Sequence, residues 1–169
     1  APCYFAGTFG FQAVSGNHRL KADHWGGPLQ DLGVYCLNAA RHVFKAEPIA
    51  VQALSSRPPD DPRFAEIDGS LAVTLRFPGE RLAQFFCSFG AALTETIRVV
   101  GSKGELILDP AFRPEVSMIL HLRCGDEVTT TAFPRVDHFA GQIAYFSDCI
   151  RSGTHPEADG HEGLADMRV

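Results

Sequence analysis

The alternation of apolar and polar positions along the middle of the chain has a period of two, which predicts β-strands. Apolar side chains recur at every second position from 71 to 77, and a second such run follows the Pro-Gly-Glu turn at 78–80. Aromatic or β-branched runs bounded by glycine and proline indicate the remaining strands. The predicted strands cover residues 4–14, 48–55, 71–77, 83–89, 94–100, 105–108, 116–122 and 127–132.

Other segments carry their apolar residues at helical spacing. A helix is predicted over residues 28–45, with a core face formed by Leu29, Cys36, Ala40 and Val43. A second is predicted over 137–151, with Gly153 as its stop, and a third begins near residue 160. The order is strand, helix, strand meander and helices, which predicts an α+β fold: one open, mostly antiparallel sheet with helices packed on one face.

The start of the first helix carries the most informative chemistry. Gly27 can cap it, and Pro28 suits the first helical position because the missing N–H needs no partner there. At about 100° per residue, Asp31, Tyr35 and Asn38 fall within an arc of roughly 60°. An acid, a phenol and an amide on one stripe suit proton transfer and hydrogen bonding in a pocket. The alternative is that Asp31 serves only the helix dipole and Tyr35 is a half-buried core residue.

Composition limits the class of protein. The 169 residues are 45% hydrophobic with a formal net charge of -5, which is typical of one globular domain. We expect no nucleic-acid partner, since basic runs are absent, and no membrane span, since no apolar stretch approaches about 20 residues. The five cysteines are scattered and never spaced C-x-x-C, so we expect no metal site, no disulfide framework and a reducing cytoplasm. Cys36 and Cys87 are predicted to be buried thiols.

Both ends of the chain suggest a longer polypeptide. The sequence begins at Ala1, almost directly in a predicted strand, and stops at Val169 within a helical pattern. A short terminal helix is marginal without a tertiary partner. We therefore expect the chain to be a fragment.

Several motifs resemble the C-terminal domain of the Gfo/Idh/MocA oxidoreductases, in particular the branch of glucose-fructose oxidoreductase and dihydrodiol dehydrogenase. The resemblance covers nearly all of the chain, and its most specific part is the Gly-Gly…Asp-x-Gly-x-Tyr pattern. The motifs are Asn-His-Arg-Leu at 17–20, the segment 26–38 with its continuation to Arg41, Gly-Ser-Lys-Gly-Glu-Leu at 101–106, and the final stretch 161–169.

This resemblance implies a two-domain enzyme. A Rossmann domain binds NAD or NADP, and residues 1–169 form the single substrate-binding and catalytic domain that follows it, with a glyceraldehyde-3-phosphate dehydrogenase-like C-terminal fold. Hydride transfer then links the nicotinamide to a carbon of a sugar, polyol or diol. The resemblance gives Tyr35 the proton exchange with the substrate hydroxyl and gives Asp31 the task of orienting or polarising it. Asn38 contacts substrate or holds the stripe in place.

Two family motifs are absent from this chain. Neither the Glu-Lys-Pro motif nor a Gly-x-Gly-x-x-Gly after a strand occurs, so we expect no cofactor-binding residues here and no activity from this chain alone. Trp25 replaces the first of three glycines, and either forms a wall of the pocket or covers the turn. Arg19 matches a recurrent arginine that contacts substrate or cofactor, although a surface position in a polar loop is also compatible with the sequence.

Two functions remain open from the sequence. The first is the C-terminal portion of an NAD(P)-dependent oxidoreductase acting on a small-molecule sugar or polyol. The second is a non-catalytic sheet module for dimerisation or ligand binding. Its basis is the second face of the meander, which is predicted to be exposed and to mediate a homo-oligomer; Ala72, Thr74, Arg76, Gln84, Phe86 and Ser88 lie on it.

Overall fold

The computed structural model describes residues 1–169, which form eight strands and three α-helices. The strands are β1 (Pro2–Gln12), β2 (Ala50–Ser56), β3 (Ser70–Phe77), β4 (Arg81–Ser88), β5 (Gly90–Gly101), β6 (Gly104–Asp109), β7 (Met118–Cys124) and β8 (Glu127–Phe133). The helices are α1 (Val34–Phe44), α2 (His138–Ser152) and α3 (Gly160–Met167). Each predicted strand and helix is present, with shifts of a few residues at the ends.

All eight strands belong to one sheet in the order β2-β3-β4-β1-β5-β6-β7-β8. Only the pairing of β1 with β4 is parallel, and every other neighbouring pair is antiparallel. The parallel pair arises because the chain leaves β1, passes through α1 and returns to build β2, β3 and β4 on one side. The predicted α+β fold with an open, mostly antiparallel sheet is confirmed.

The core lies between α1 and one face of the sheet. Seventeen buried apolar residues form one cluster. Strand β4 contributes the alternating series that the sequence predicts, and the ring of Phe44 on α1 packs edge-on against Phe77 of β3 at 4.8 Å. Cys36 and Cys87 are both fully buried, as expected, and burial raises the pKa of each thiol to about 12.

Three details differ from the sequence-based predictions. The helix is not uniformly α-helical, because Leu29–Gly33 is wound as a π-helix before α1 begins. This wider turn leaves Leu29 38% exposed, so its assignment to the core face was wrong. Ser88 is 1% exposed rather than on the open face, because its hydroxyl bonds to Ser70 and to the Gly69 carbonyl where the loop before β3 crosses it.

The opposite sheet face and one face of α2 remain uncovered within this chain. A shallow depression of about 470 Å³ crosses the open face of the sheet between β2 and β1. Helix α2 begins with Asp137 as its N-cap and ends at Gly153, as predicted, but its apolar stripe is exposed; the stripe comprises Phe139, Ile143, Phe146 and Ile150. None of the helices combines the length and apolar character that crossing a bilayer requires.

Candidate active site

The backbone of Gly26 and Gly27 bonds to the polar loop 17–25 at the start of the first helix. The N–H of Gly26 donates to the carbonyl of Lys21 at 2.9 Å, and that of Gly27 donates to the carbonyl of Arg19 at 3.0 Å. A Cβ on Gly26 would lie 2.3 Å from the Arg19 carbonyl oxygen, and Gly27 has a φ of 138°. Only glycine fits both positions without strain, which explains the glycine turn seen in the sequence.

Asp31 lies in the π-helical turn that follows this glycine pair. Its carboxylate accepts a hydrogen bond from Arg19 Nε at 2.8 Å, and both side chains are partly exposed. The glycine pair positions Arg19 for this contact because Gly27 bonds to the Arg19 backbone. The structure thus brings together two of the predicted site residues that are 12 positions apart.

Tyr35 follows in the first turn of α1, and the residue is 54% exposed. Its ring stands edge-on to Phe9 of β1 at 5.8 Å and lies 6.1 Å from the ring of Phe112, which follows β6. Phe9 and Phe112 are stacked on each other at 4.7 Å. The tyrosine is therefore not a core residue: it is held by aromatic contacts on one side and open to solvent on the other.

The side chain of Asn38 bonds to another helix, although its spacing places it on the same helical stripe as Asp31 and Tyr35. Its Nδ2 donates to Asp166 of α3 at 3.1 Å. Arg41, one turn further along α1, bonds to the other Asp166 oxygen at 2.5 Å and to both oxygens of Glu47 at 2.7 Å. These hydrogen bonds, those to Glu47 first, raise the pKa of the Arg41 guanidinium above its usual range. In this arrangement Asn38 fixes helices to each other; a contact with substrate stays a prediction.

Trp25 closes the polar loop at the surface. Its backbone is in the left-handed region with a φ of 54°, its backbone N–H donates to the Ala22 carbonyl, and the residue is 62% exposed. It directly precedes the glycine pair, so the indole lies on the same connection as Arg19. Its role as a pocket wall stays a prediction.

Sequence reasoning missed three residues around Tyr35. Phe9, Phe112 and Glu95 were not predicted as site residues, although Glu95 carries a detectable signal. It shares the period-two face of Ile97 and Val99 in a strand, so a carboxylate falls on an apolar face. Phe112 lies between two prolines in a loop, where periodicity gives no information.

The family model for the GFO/IDH/MocA C-terminal domain matches residues 2–107. The chain belongs to this family. The match contains β1, the glycine pair, Asp31, Tyr35 and Asn38, whereas Phe112 and Asp166 lie beyond it.

Two relatives that resemble this chain in sequence are oxidoreductases. The chain is 32% identical to the D-xylose 1-dehydrogenase [NADP(+)] of Haloarcula marismortui, over 89% of this chain and 42% of that protein. It is 35% identical to the trans-1,2-dihydrobenzene-1,2-diol dehydrogenase of Bos taurus over 57% of this chain and 29% of the relative.

A solved structure also matches the fold over nearly the whole length of this chain. The aldose-aldose oxidoreductase of Caulobacter crescentus, complexed with glycerol, superposes with a TM-score of 0.90 at 30% identity. The match covers 99% of this chain and 50% of that protein. This GFO/IDH/MocA chain therefore spans about half the length of the relatives that it matches, or less.

Proposed function

We propose that this chain is the C-terminal substrate-binding and catalytic portion of an NAD(P)-dependent oxidoreductase that acts on a hydroxyl of a sugar, polyol or diol. The observation that carries the proposal is the exposed Tyr35 phenol on the same helical segment as the Arg19-paired Asp31. In this proposal residues 1–169 are one domain, and a Rossmann domain precedes them. The names of the relatives support the substrate class, and the D-xylose dehydrogenase favours NADP over NAD.

The chemistry follows from the groups present. Oxidation of an alcohol requires that the hydroxyl proton leave, and Tyr35 is the exposed group that can receive it in its phenolate form. In the reverse reaction, the phenol returns that proton to the carbonyl oxygen. Asp31 and Arg19 form a charged pair that binds further hydroxyls and orients the substrate towards the phenol. Trp25 and Asn38 are secondary candidates for substrate contacts. The dinucleotide, when bound, supplies the two-electron acceptor.

The residues described here do not fit the dinucleotide's phosphates. A phosphate cradle of the Rossmann type needs Gly-x-Gly-x-x-Gly between a strand and a helix, and the glycine pair of this chain instead bonds to its own loop. We therefore assign the main cofactor site to the preceding domain. The residues of this chain supply substrate binding and proton transfer.

Exchange of Tyr35 for phenylalanine in the complete protein tests the proposal. Tyr35→Phe removes only the hydroxyl, so cofactor binding is expected to persist while turnover falls about 10²-fold or more. Tyr145→Phe is the matched control, since Tyr145 is a comparably exposed phenol on α2 that bonds to the Glu157 N–H. A turnover number unchanged by Tyr35→Phe, in an assay limited by chemistry, would remove the tyrosine from this role.

We also propose that the open sheet face mediates a homo-oligomer. The depression on this face mixes apolar and polar side chains, and two of its lining residues, Leu54 and Phe86, are exposed apolar groups. A face of this character also favours the second function, a non-catalytic module for dimerisation or ligand binding. Light scattering on the complete protein tests the interface. Phe86→Glu should yield monomers, whereas a wild-type protein that is monomeric at high concentration argues against the interface.

A reducing cytoplasm is the compartment that we propose. All five cysteines are free, and three of them are buried, which suits a compartment where thiols stay reduced.

A further inference from the structure

A buried carboxylate lies beside the aromatic rings that surround Tyr35. Glu95 of β5 is 4% exposed and pairs directly with Phe9 across the β1–β5 ladder. It faces the same side of the sheet as Ile97 and Val99, which pack against the core. Burying a carboxylate on an apolar face costs free energy unless hydrogen bonds compensate it, so its partners indicate what the group does.

Those partners all belong to one short loop, residues 111–113, between β6 and β7. The N–H of Phe112 donates to Glu95 Oε2 at 3.2 Å, and Arg113 Nε donates to Oε1. The N–H of Ala111 donates to the backbone carbonyl of Glu95 at 3.1 Å. Three successive residues are thus fixed by a single residue of the neighbouring strand.

The loop places one aromatic ring. Phe112 lies nearly parallel to Phe9, with an angle of 17° between the ring planes, and Tyr35 contacts both rings from the open side. We call Phe9 and Phe112 the aromatic wall. Phe112 lies in a loop between the end of β6 and the start of β7, so two sets of contacts hold it beside the phenol: its stacking on Phe9 and the bonds to Glu95.

An aromatic wall next to a proton-transferring phenol has a chemical preference. Aromatic faces carry partial negative charge and attract the partly positive C–H groups of an apolar surface. Because Phe9 and Phe112 each cover one face of the other, the face that the wall can offer is the second face of the half-buried Phe112 ring. A closed sugar ring presents several axial C–H groups together, whereas an open-chain polyol presents hydroxyls along its whole flexible length. A wall beside Tyr35 therefore favours ring-closed substrates over acyclic ones.

We propose that Glu95 is a positioning residue that fixes Phe112 against Tyr35, and that the resulting aromatic wall selects closed sugar rings over acyclic polyols. The preference for sugar rings rests on the proposed function, because that function supplies the substrates. The positioning of Phe112 and Tyr35 by Glu95 does not depend on the proposed function.

The test uses the complete protein with NADP and two probes of equal carbon number, D-xylose and xylitol. Phe112→Ala is expected to raise KM for D-xylose about tenfold relative to KM for xylitol, and to lower kcat for both probes to the same extent, because Tyr35 loses a neighbouring ring. Glu95→Gln is expected to reproduce this selective rise in KM. Phe112→Tyr, which keeps the ring, is expected to retain the wild-type KM values for both probes. Glu105→Gln is the matched control, because Glu105 is a carboxylate paired with Arg98 and Arg123 on the opposite sheet face.

A second readout follows Tyr35 without substrate. With 3-fluorotyrosine incorporated, the ¹⁹F line that Tyr35→Phe removes should shift in Glu95→Gln and in Phe112→Ala, and stay in place in Glu105→Gln. An unmoved line in both site variants overturns the positioning role, and equal KM changes for D-xylose and xylitol overturn the ring preference. A wild-type protein that oxidises neither probe overturns the proposed function and the ring preference, while the fluorine line still decides the role of Glu95.

Discussion

Removing the Arg41 side chain should release α3 from α1. Arg41 is 5% exposed and bonds to Glu47, Glu162 and Asp166, which are 59%, 51% and 10% exposed. Pairs with a largely exposed partner contribute little, so the Asp166 pair sets the magnitude. Breaking a buried ion pair from one side costs about 3–5 kcal/mol, and we expect about 3 kcal/mol because Asp166 keeps some contact with water.

Helix α3 depends on this network because its other contacts are weak. It has eight residues, too few for a stable isolated helix, and its apolar residues Leu164 and Met167 are 47% and 64% exposed. For a chain of this size, about 3 kcal/mol corresponds to a Tm lower by roughly 6–12 °C. Arg41→Lys should lie between wild type and Arg41→Ala, since an ammonium cannot hold the Glu47 carboxylate with two parallel bonds.

Urea unfolding followed by circular dichroism measures the loss, and hydrogen exchange of the α3 amides locates it. Arg98→Ala is the matched control: Arg98 also bonds to a carboxylate, but its side chain is 53% exposed, so we expect a loss below about 1 kcal/mol. If Arg41→Ala and Arg98→Ala destabilise the protein equally, or if the α3 amides remain protected, the reasoning is refuted.

Three further outcomes are expected. The hydrogen bond from Arg41 lowers the pKa of Glu47 below 4.5. The ionised Glu47 therefore stabilises the fold above that pH, and this contribution is lost as the pH falls. The fall in unfolding free energy at acid pH should be shallower in Glu47→Gln than in the wild type. Gly26→Ala should lower both stability and turnover, measured by urea unfolding and a steady-state assay, because its Cβ meets the Arg19 carbonyl. Because burial raises the pKa of Cys36 and Cys87, iodoacetamide at pH 8 should label them, by peptide mass spectrometry, only after unfolding.

The sheet was predictable because its pattern is local. Period-two alternation depends only on which face of a strand is buried, and β3 and β4 follow it nearly without exception. The strand order was not predictable in the same way, since the parallel pairing of β1 with β4 joins segments more than 70 residues apart. The π-helical turn was missed because a spacing argument assumes a uniform rotation per residue, and no residue type marks a wider turn.

The positions of the candidate site residues were predictable only where chemistry and local order coincide. Asp31 and Tyr35 stand out because polar groups follow a glycine turn on one helix, and the structure leaves both accessible to solvent. Asn38 fits the same stripe, yet its amide bonds to Asp166, a residue 128 positions later. Helical spacing gives the direction in which a side chain points, and it cannot give the partner that meets it there.

The same distinction explains why Glu95 matters more than its place in a strand suggests. A charged residue on the apolar face of a strand conflicts with the local pattern, and such conflicts are resolved by long-range partners or by function. Here the partners are the loop backbone at Phe112 and the side chain of Arg113, so the free-energy cost of burying one carboxylate is offset by fixing a loop. The loop in turn holds a ring against the one exposed phenol of α1. The residue that least fits the strand pattern is therefore the one that ties Phe112 to the sheet beside Tyr35.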